Sequence, residues 1–173
     1  GVIAANRWNP SLDQRLIIRG FGARANFGVR GVKMLIDGIP QTLPDGQSQL
    51  TNLDLSAIDR VEVLRGAASS LHGNAAGGVI AFTSRSAPEQ RATRSVGVEY
   101  GSLGTARVQG TGGARLGRFA ATVGSSLTKS DGFRAQSRSE QQRAQFALAY
   151  SLRPSTTLTA RAAWANDPRA DNP

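Results

Sequence analysis

The residues that could do chemistry in this chain are few. The single histidine, His72, stands two positions after Ser70. Neither an oxyanion donor nor an orienting acid is evident nearby, so the two do not make a hydrolytic pair. Asp37 and Asp45 could work as paired carboxylates, but each precedes a glycine, and turn-forming aspartate explains both. Gly73-Asn74-Ala75-Ala76-Gly77-Gly78 looks like a phosphate loop, yet it lacks the Gly-Lys-Ser/Thr that would hold phosphate and magnesium. Gly20-Phe21-Gly22 lacks the third glycine and the following helix of a dinucleotide site. Without cysteine there is neither a disulfide framework nor a thiolate metal site. No catalytic or metal-ligating cluster emerges, which argues against an enzyme.

Charge and hydropathy narrow the classes further. The formal net charge is +9, with only two lysines, Lys33 and Lys129, among the cations. The basic residues are scattered and few aromatics lie between them, so no nucleic-acid partner is expected. A surface meeting anionic lipid headgroups or an anionic ligand remains. No apolar run approaches the roughly 18–20 residues of a membrane helix, whereas barrel strands need only about 9–11 alternating residues. The chain opens Gly1-Val2-Ile3 without a signal-peptide pattern and reads as cut from something longer.

The elements that must position these residues fall into two patterns. Before Ser84–Arg91, short apolar runs end in glycine turns: Arg15–Gly20, Val32–Gly38, Val61–Gly66 and Gly78–Thr83. They predict buried strands. Helical turns are expected at Ala67–Gly73 and at Leu55–Arg60, the latter capped by Asp54 or Ser56. After Arg91 the pattern alternates strictly, predicting consecutive antiparallel strands near 94–101, 105–113, 118–129, 142–153 and 157–166, with the tail from Asn166 starting a loop. Val96, Val98, Phe119, Val123, Phe146, Leu148, Tyr150 and Trp164 share the apolar face. Alternation alone fits a soluble β-meander as well as an outer-membrane barrel.

The ordered set across residues 15–85 is more specific. Arg15-Leu16-Ile17-Ile18-Arg19-Gly20-Phe21-Gly22 comes first, then Gly31-Val32-Lys33-Met34-Leu35-Ile36-Asp37-Gly38-Ile39-Pro40. Ile58-Asp59-Arg60-Val61-Glu62-Val63-Leu64-Arg65-Gly66 follows and leads to Ser70-Leu71-His72-Gly73-Asn74-Ala75-Ala76-Gly77-Gly78-Val79-Ile80. In order and spacing this set resembles the plug of TonB-dependent outer-membrane receptors. Ala67 and His72 depart from it, standing where proline and tyrosine are common.

The resemblance implies an α+β plug with a mixed four-stranded sheet over residues 1–88, its N-terminal part missing, then about five antiparallel strands of an incomplete transmembrane β-barrel over 89–173. It implies a receptor in the outer membrane of a Gram-negative bacterium that imports a ferric chelate of siderophore or citrate type. The plug would gate a barrel of about 22 strands, far more than five strands can close. TonB would pull on a TonB box that this chain is not expected to contain, and outer-membrane lipid would surround the wall. No cofactor and no metal site are implied; iron enters as cargo. A plug-like binding or signalling module, or a receptor for haem, cobalamin or oligosaccharide, stays open. Arginines at the positions of Arg19 and Arg65 pair in the family with barrel-wall glutamates, and Glu62 is a candidate internal partner. The segment around Gln47 and Gln49 resembles the plug of ferric dicitrate receptors, which makes Arg24, Gln47 and Gln49 the candidate ligand contacts.

Overall fold

The structure is a computed structural model that describes residues 1–5, 15–23, 29–48, 50, 53–66, 71–73, 75–86, 88 and 91–171. Two units emerge: residues 1–53 with 58–84, and residues 54–57 with 85–173.

In the first unit β1 (Val2–Ala5) and β2 (Arg15–Ile18) pair antiparallel, with Val2 opposite Ile18. A mixed sheet contains β3 (Val32–Ile36), β4 (Ile39–Pro40), β5 (Ile58–Leu64) and β6 (Gly78–Ser84) in the order β4-β3-β6-β5. The central pair, β3 and β6, is parallel, and β5 joins β6 antiparallel. Both faces of a parallel pair need cover. One packs Ile18, Val29, Val32, Met34, Ile80 and Phe82; the other packs Leu35, Ala75 and Val79. The continuous apolar runs of β3 and β6 follow from this double burial.

The mixed four-stranded sheet matches the expectation, but its membership differs. The run at Arg15–Gly20 was expected among its strands, and β2 instead pairs with β1, a strand the sequence did not suggest. Asp37 (φ +51°) and Gly38 (φ +82°) fold the chain back after β3, so β4 occupies that edge. Two positive φ values in a two-residue hairpin turn match strand twist. The Asp37 carboxylate also accepts the Ser84 backbone N–H (2.9 Å) and hydroxyl (2.7 Å), fixing the turn to the end of β6. The turn that ends β2 has the same form, with Arg19 at φ +51° and Gly20 at φ +86°. The helix expected over 55–60 is one 3₁₀ turn, Leu55–Ala57; β-branched Ile58, Val61 and Val63 carry the chain into β5. Residues 67–70 of the other expected helical turn lie outside the described residues.

The second unit is a five-stranded antiparallel meander: β7 (Ala92–Tyr100), β8 (Ala106–Leu116), β9 (Phe119–Ser130), β10 (Ser139–Arg153) and β11 (Thr156–Ala170). Its connections alternate between two-residue turns, Gly117–Arg118 and Pro154–Ser155, and longer loops, 101–105 and 131–138. Register puts Val96, Gly110, Ser125, Ala144 and Trp164 in one row, and Arg94, Gly112, Val123, Phe146 and Ala162 in the next row on that face. All eight expected apolar positions share this face. The intervening rows are polar: Gly97, Gln109, Ser126, Arg143 and Ala165 form one.

The tail at Asn166–Ala170, expected to start a loop, is strand instead. A register shift between Glu140 and Gln142 places a bulge where Pro168 sits, on the outermost strand of this sheet. A bulge or an edge is where a strand tolerates a residue without an N–H.

Candidate functional site

Arg19 and Arg65 follow the ends of β2 and β5, and Gly78 brings those ends together. A Cβ at Gly78 (φ +141°) would lie 2.6 Å from the Leu64 carbonyl oxygen and 3.6 Å from Ile18 Cδ1. Only glycine permits that approach in that conformation. Next to it, Gly77 donates its N–H to the Gly31 carbonyl at 2.7 Å, and a Cβ there would strike Phe21. The Gly77-Gly78 pair is therefore a seat for the β2 turn and not a phosphate cradle. Both arginines are exposed at the same end of the unit. Glu62, the candidate internal partner, lies 3.5 Å from Arg60 instead, with both side chains largely exposed. An exposed pair of this kind contributes about 0–1 kcal/mol.

Of the three candidate ligand contacts, Arg24 and Gln49 lie outside the described residues. Gln47 sits in a loop closed by reciprocal backbone bonds between Val29 and Ser48, 3.0 and 3.1 Å. Two of its N–H groups point at one carboxylate: the backbone N–H donates to Asp45 Oδ1 at 3.0 Å, and Nε2 donates to Oδ2 at 2.6 Å. His72, considered above as a nucleophile's base, contributes its carbonyl to the Lys33 ammonium.

The polar face of the five-stranded sheet carries contacts that sequence reasoning missed. Asp54, buried, accepts the Ser56 backbone N–H at 2.9 Å as the cap of the 3₁₀ turn. It also accepts the buried Ser126 hydroxyl at 3.0 Å and lies 3.4 Å from the Arg107 guanidinium. A Cβ at Gly124 would lie 3.6 Å from Ala57 Cβ, an ordinary contact distance, so the turn packs close to β9 there. Two residues after β6 also reach β8. Arg85 Nη1 donates to Thr111 Oγ1 at 3.4 Å, and Arg115 Nε donates to the Pro88 carbonyl at 2.8 Å. Farther along the same face, buried Arg143 donates to Asp167 Oδ1 at 2.6 Å and to the Asn166 carbonyl at 3.2 Å. A segment laid on the polar face, opposite an unpartnered apolar face, gives the sheet an inside and an outside. The signal in the sequence was a capping Asp54 followed far downstream by arginines at polar-face positions.

Comparison with known proteins agrees with this architecture. Residues 1–79 match the family described as the TonB-dependent receptor plug domain. A hemin receptor of Yersinia pestis is 39% identical over 70 residues, 40% of this chain and 10% of that receptor. Among solved structures, the pyoverdine outer membrane receptor FpvA of Pseudomonas aeruginosa superposes with a TM-score of 0.77 at 21% identity, covering 96% of this chain and 24% of that one. The siderophore receptor PirA of Acinetobacter baumannii gives 0.71 at 16% identity, over 96% of this chain and 27% of that one. The copper transporter OprC gives 0.75 at 17%, over 96% and 26%. The chain thus spans about a quarter of these structures. Residues 1–79 thus match the plug domain by sequence, and 96% of the chain shares the fold of the corresponding part of these outer-membrane proteins.

Proposed function

We propose that the chain works in the outer membrane of a Gram-negative bacterium as the plug, residues 1–88, and first wall strands, 89–173, of a receptor that imports a ferric chelate. One observation carries the reading: a sequence matched to the plug family runs on into a meander whose apolar side chains all face one way. Val96, Val98, Phe119, Val123, Phe146, Leu148 and Trp164 are all exposed, and an apolar surface of this extent needs hydrocarbon or protein cover. TonB supplies the pull on the plug, through a TonB box elsewhere in the receptor, and outer-membrane lipid covers the apolar face. Arg24, Gln47 and Gln49 meet the anionic chelate, and Arg19 and Arg65 hold the plug to the wall.

The test is uptake of labelled ferric citrate and of a siderophore panel by cells whose only receptor is the full-length protein, with and without TonB. Uptake that needs both supports the reading; uptake unchanged by loss of the receptor or of TonB overturns it. Haem is the second reading, favoured by the 39% identity to the hemin receptor. Growth on hemin but on no ferric chelate would select it.

A further inference from the structure

The cations of the five-stranded sheet are distributed unevenly along its strands. At the long-loop end three basic side chains have a carboxylate nearby, Lys129 with Glu140 at 3.3 Å, Arg138 with Asp131 at 3.4 Å and Arg169 with Asp171 at 3.0 Å, while Arg134 has none among the described residues. Toward the two-residue turns the balance is different. The stretches 91–98, 108–130 and 141–166 contain Arg91, Arg94, Arg118 and Arg153 among their cations and no aspartate or glutamate. These four arginines are exposed, and none has a carboxylate partner among the described residues.

Their surroundings are apolar. Arg94 points from the apolar face, in one row with Gly112, Val123 and Phe146. Arg118 occupies the turn after Leu116, which is 77% exposed, and before Phe119, whose ring stacks on Tyr150 at 4.6 Å. Arg153 follows exposed Leu152. An arginine beside hydrocarbon extends its stem along the apolar surface and carries its guanidinium to the polar boundary. The planar fork there suits a phosphate diester, which it can hold with two parallel bonds.

We propose that the short-turn rim is a binding surface for anionic phospholipid headgroups, with Arg94, Arg118 and Arg153 contacting the phosphates of the lipid layer at that end. The proposal rests on the outer-membrane reading above. Charge complementarity decides the occupant. The apolar band calls for acyl chains, and the unneutralised arginines at its border call for anions attached to them. At the long-loop end most of the cations are already met by carboxylates.

The experiment is native mass spectrometry of the full-length receptor released from nanodiscs of phosphatidylcholine mixed with phosphatidylglycerol. Wild type is expected to retain phosphatidylglycerol preferentially. The variant R94Q/R118Q/R153Q is expected to lose that preference by about fivefold per arginine. Lysine at the same three positions keeps the charge and most of the preference, and R134Q/R138Q at the other end changes nothing. Heat-modifiable gel mobility establishes that each variant is a folded barrel. A folded glutamine variant with wild-type lipid preference overturns the proposal, as does a loss caused by R134Q/R138Q instead. A receptor that does not enter the nanodiscs overturns the outer-membrane reading itself, an outcome distinct from insertion without lipid preference.

Discussion

Asp54 and Arg107, 53 positions apart, meet at 3.4 Å on the polar face of the sheet, with the Asp54 side chain 5% exposed. The same carboxylate caps the 3₁₀ turn and accepts the Ser126 hydroxyl, so one group holds the segment 54–57 to β8 and β9. Replacing Asp54 with asparagine keeps the shape and a capping oxygen but removes the charge. We expect the docking of residues 54–57 to weaken by roughly 1.5–3 kcal/mol, the range for a hydrogen bond to a charged group. Hydrogen exchange of a peptide spanning Leu53–Ile58 in the full-length receptor should accelerate at least about tenfold. Unchanged exchange in Asp54→Asn would show that the ion pair does not hold the segment.

Gly78 and Gly20 separate two causes of glycine preference. Both have positive φ, but only Gly78 faces a backbone oxygen, 2.6 Å from where a Cβ would stand; Gly20 has nothing within 4 Å. Gly20→Ala should cost about 1–2 kcal/mol of backbone strain. Gly78→Ala adds a collision with a carbonyl that cannot move without shifting β5, for a total of about 2–4 kcal/mol. Limited proteolysis of the receptor's plug reports the difference as cleavage rate when opening is fast. Equal rates for the two variants would mean that close packing at Gly78 contributes nothing.

The register of the meander is testable at neighbouring positions. Phe146 lies opposite Val123 and Ala162 on the apolar face, and Gln145 lies opposite Gly124 and Ala163 on the polar one. A spin label at 146 in the full-length receptor should report contact with lipid-soluble oxygen, and one at 145 should report water. The reverse pattern would mean a one-residue slip, which exchanges the two faces of every strand.

The sequence revealed most where structure is local. Period-two alternation located β7 to β11, and the glycines of Arg19-Gly20 and Asp37-Gly38 marked the turns after β2 and β3, because strand pleat and positive φ act on adjacent residues. It failed where a partner lies far away. The tail from Asn166 read as a loop because the bulge that accommodates Pro168 is formed with β10, and Asp54 read only as a cap because Arg107 and Ser126 come from other strands. β1 has four residues without a turn signal and owes its strand form to pairing with β2. Gln47 was legible as a polar loop residue, but its engagement with Asp45 depends on the loop's closure onto Val29.

That engagement changes what the candidate ligand residues should do. An anionic chelate approaching Gln47 meets an amide already donating to Asp45 at 2.6 Å, and it meets the Asp45 charge as well. If the chelate bound through the remaining N–H of the Gln47 amide, it would bring a second anion beside the Asp45 carboxylate. Removing the Asp45 charge should therefore help an anionic ligand more than removing the Gln47 amide hurts it. We expect Asp45→Asn to tighten binding of ferric citrate several-fold, with the gain shrinking as salt screens the repulsion. Gln47→Ala and Gln49→Ala should each cost about 0.5–1.5 kcal/mol, with Gln47 at the low end because its donors are shared. Arg24→Ala should cost more, roughly 1.5–3 kcal/mol, if its guanidinium makes a charged hydrogen bond to the chelate. Arg19→Ala and Arg65→Ala should leave affinity alone and disturb transport instead. Equilibrium binding of ferric citrate, a siderophore panel and hemin to each full-length variant measures all of these. Should Asp45→Asn weaken an anionic chelate, or Arg24→Ala bind every ligand like wild type, the ligand does not sit on these loops.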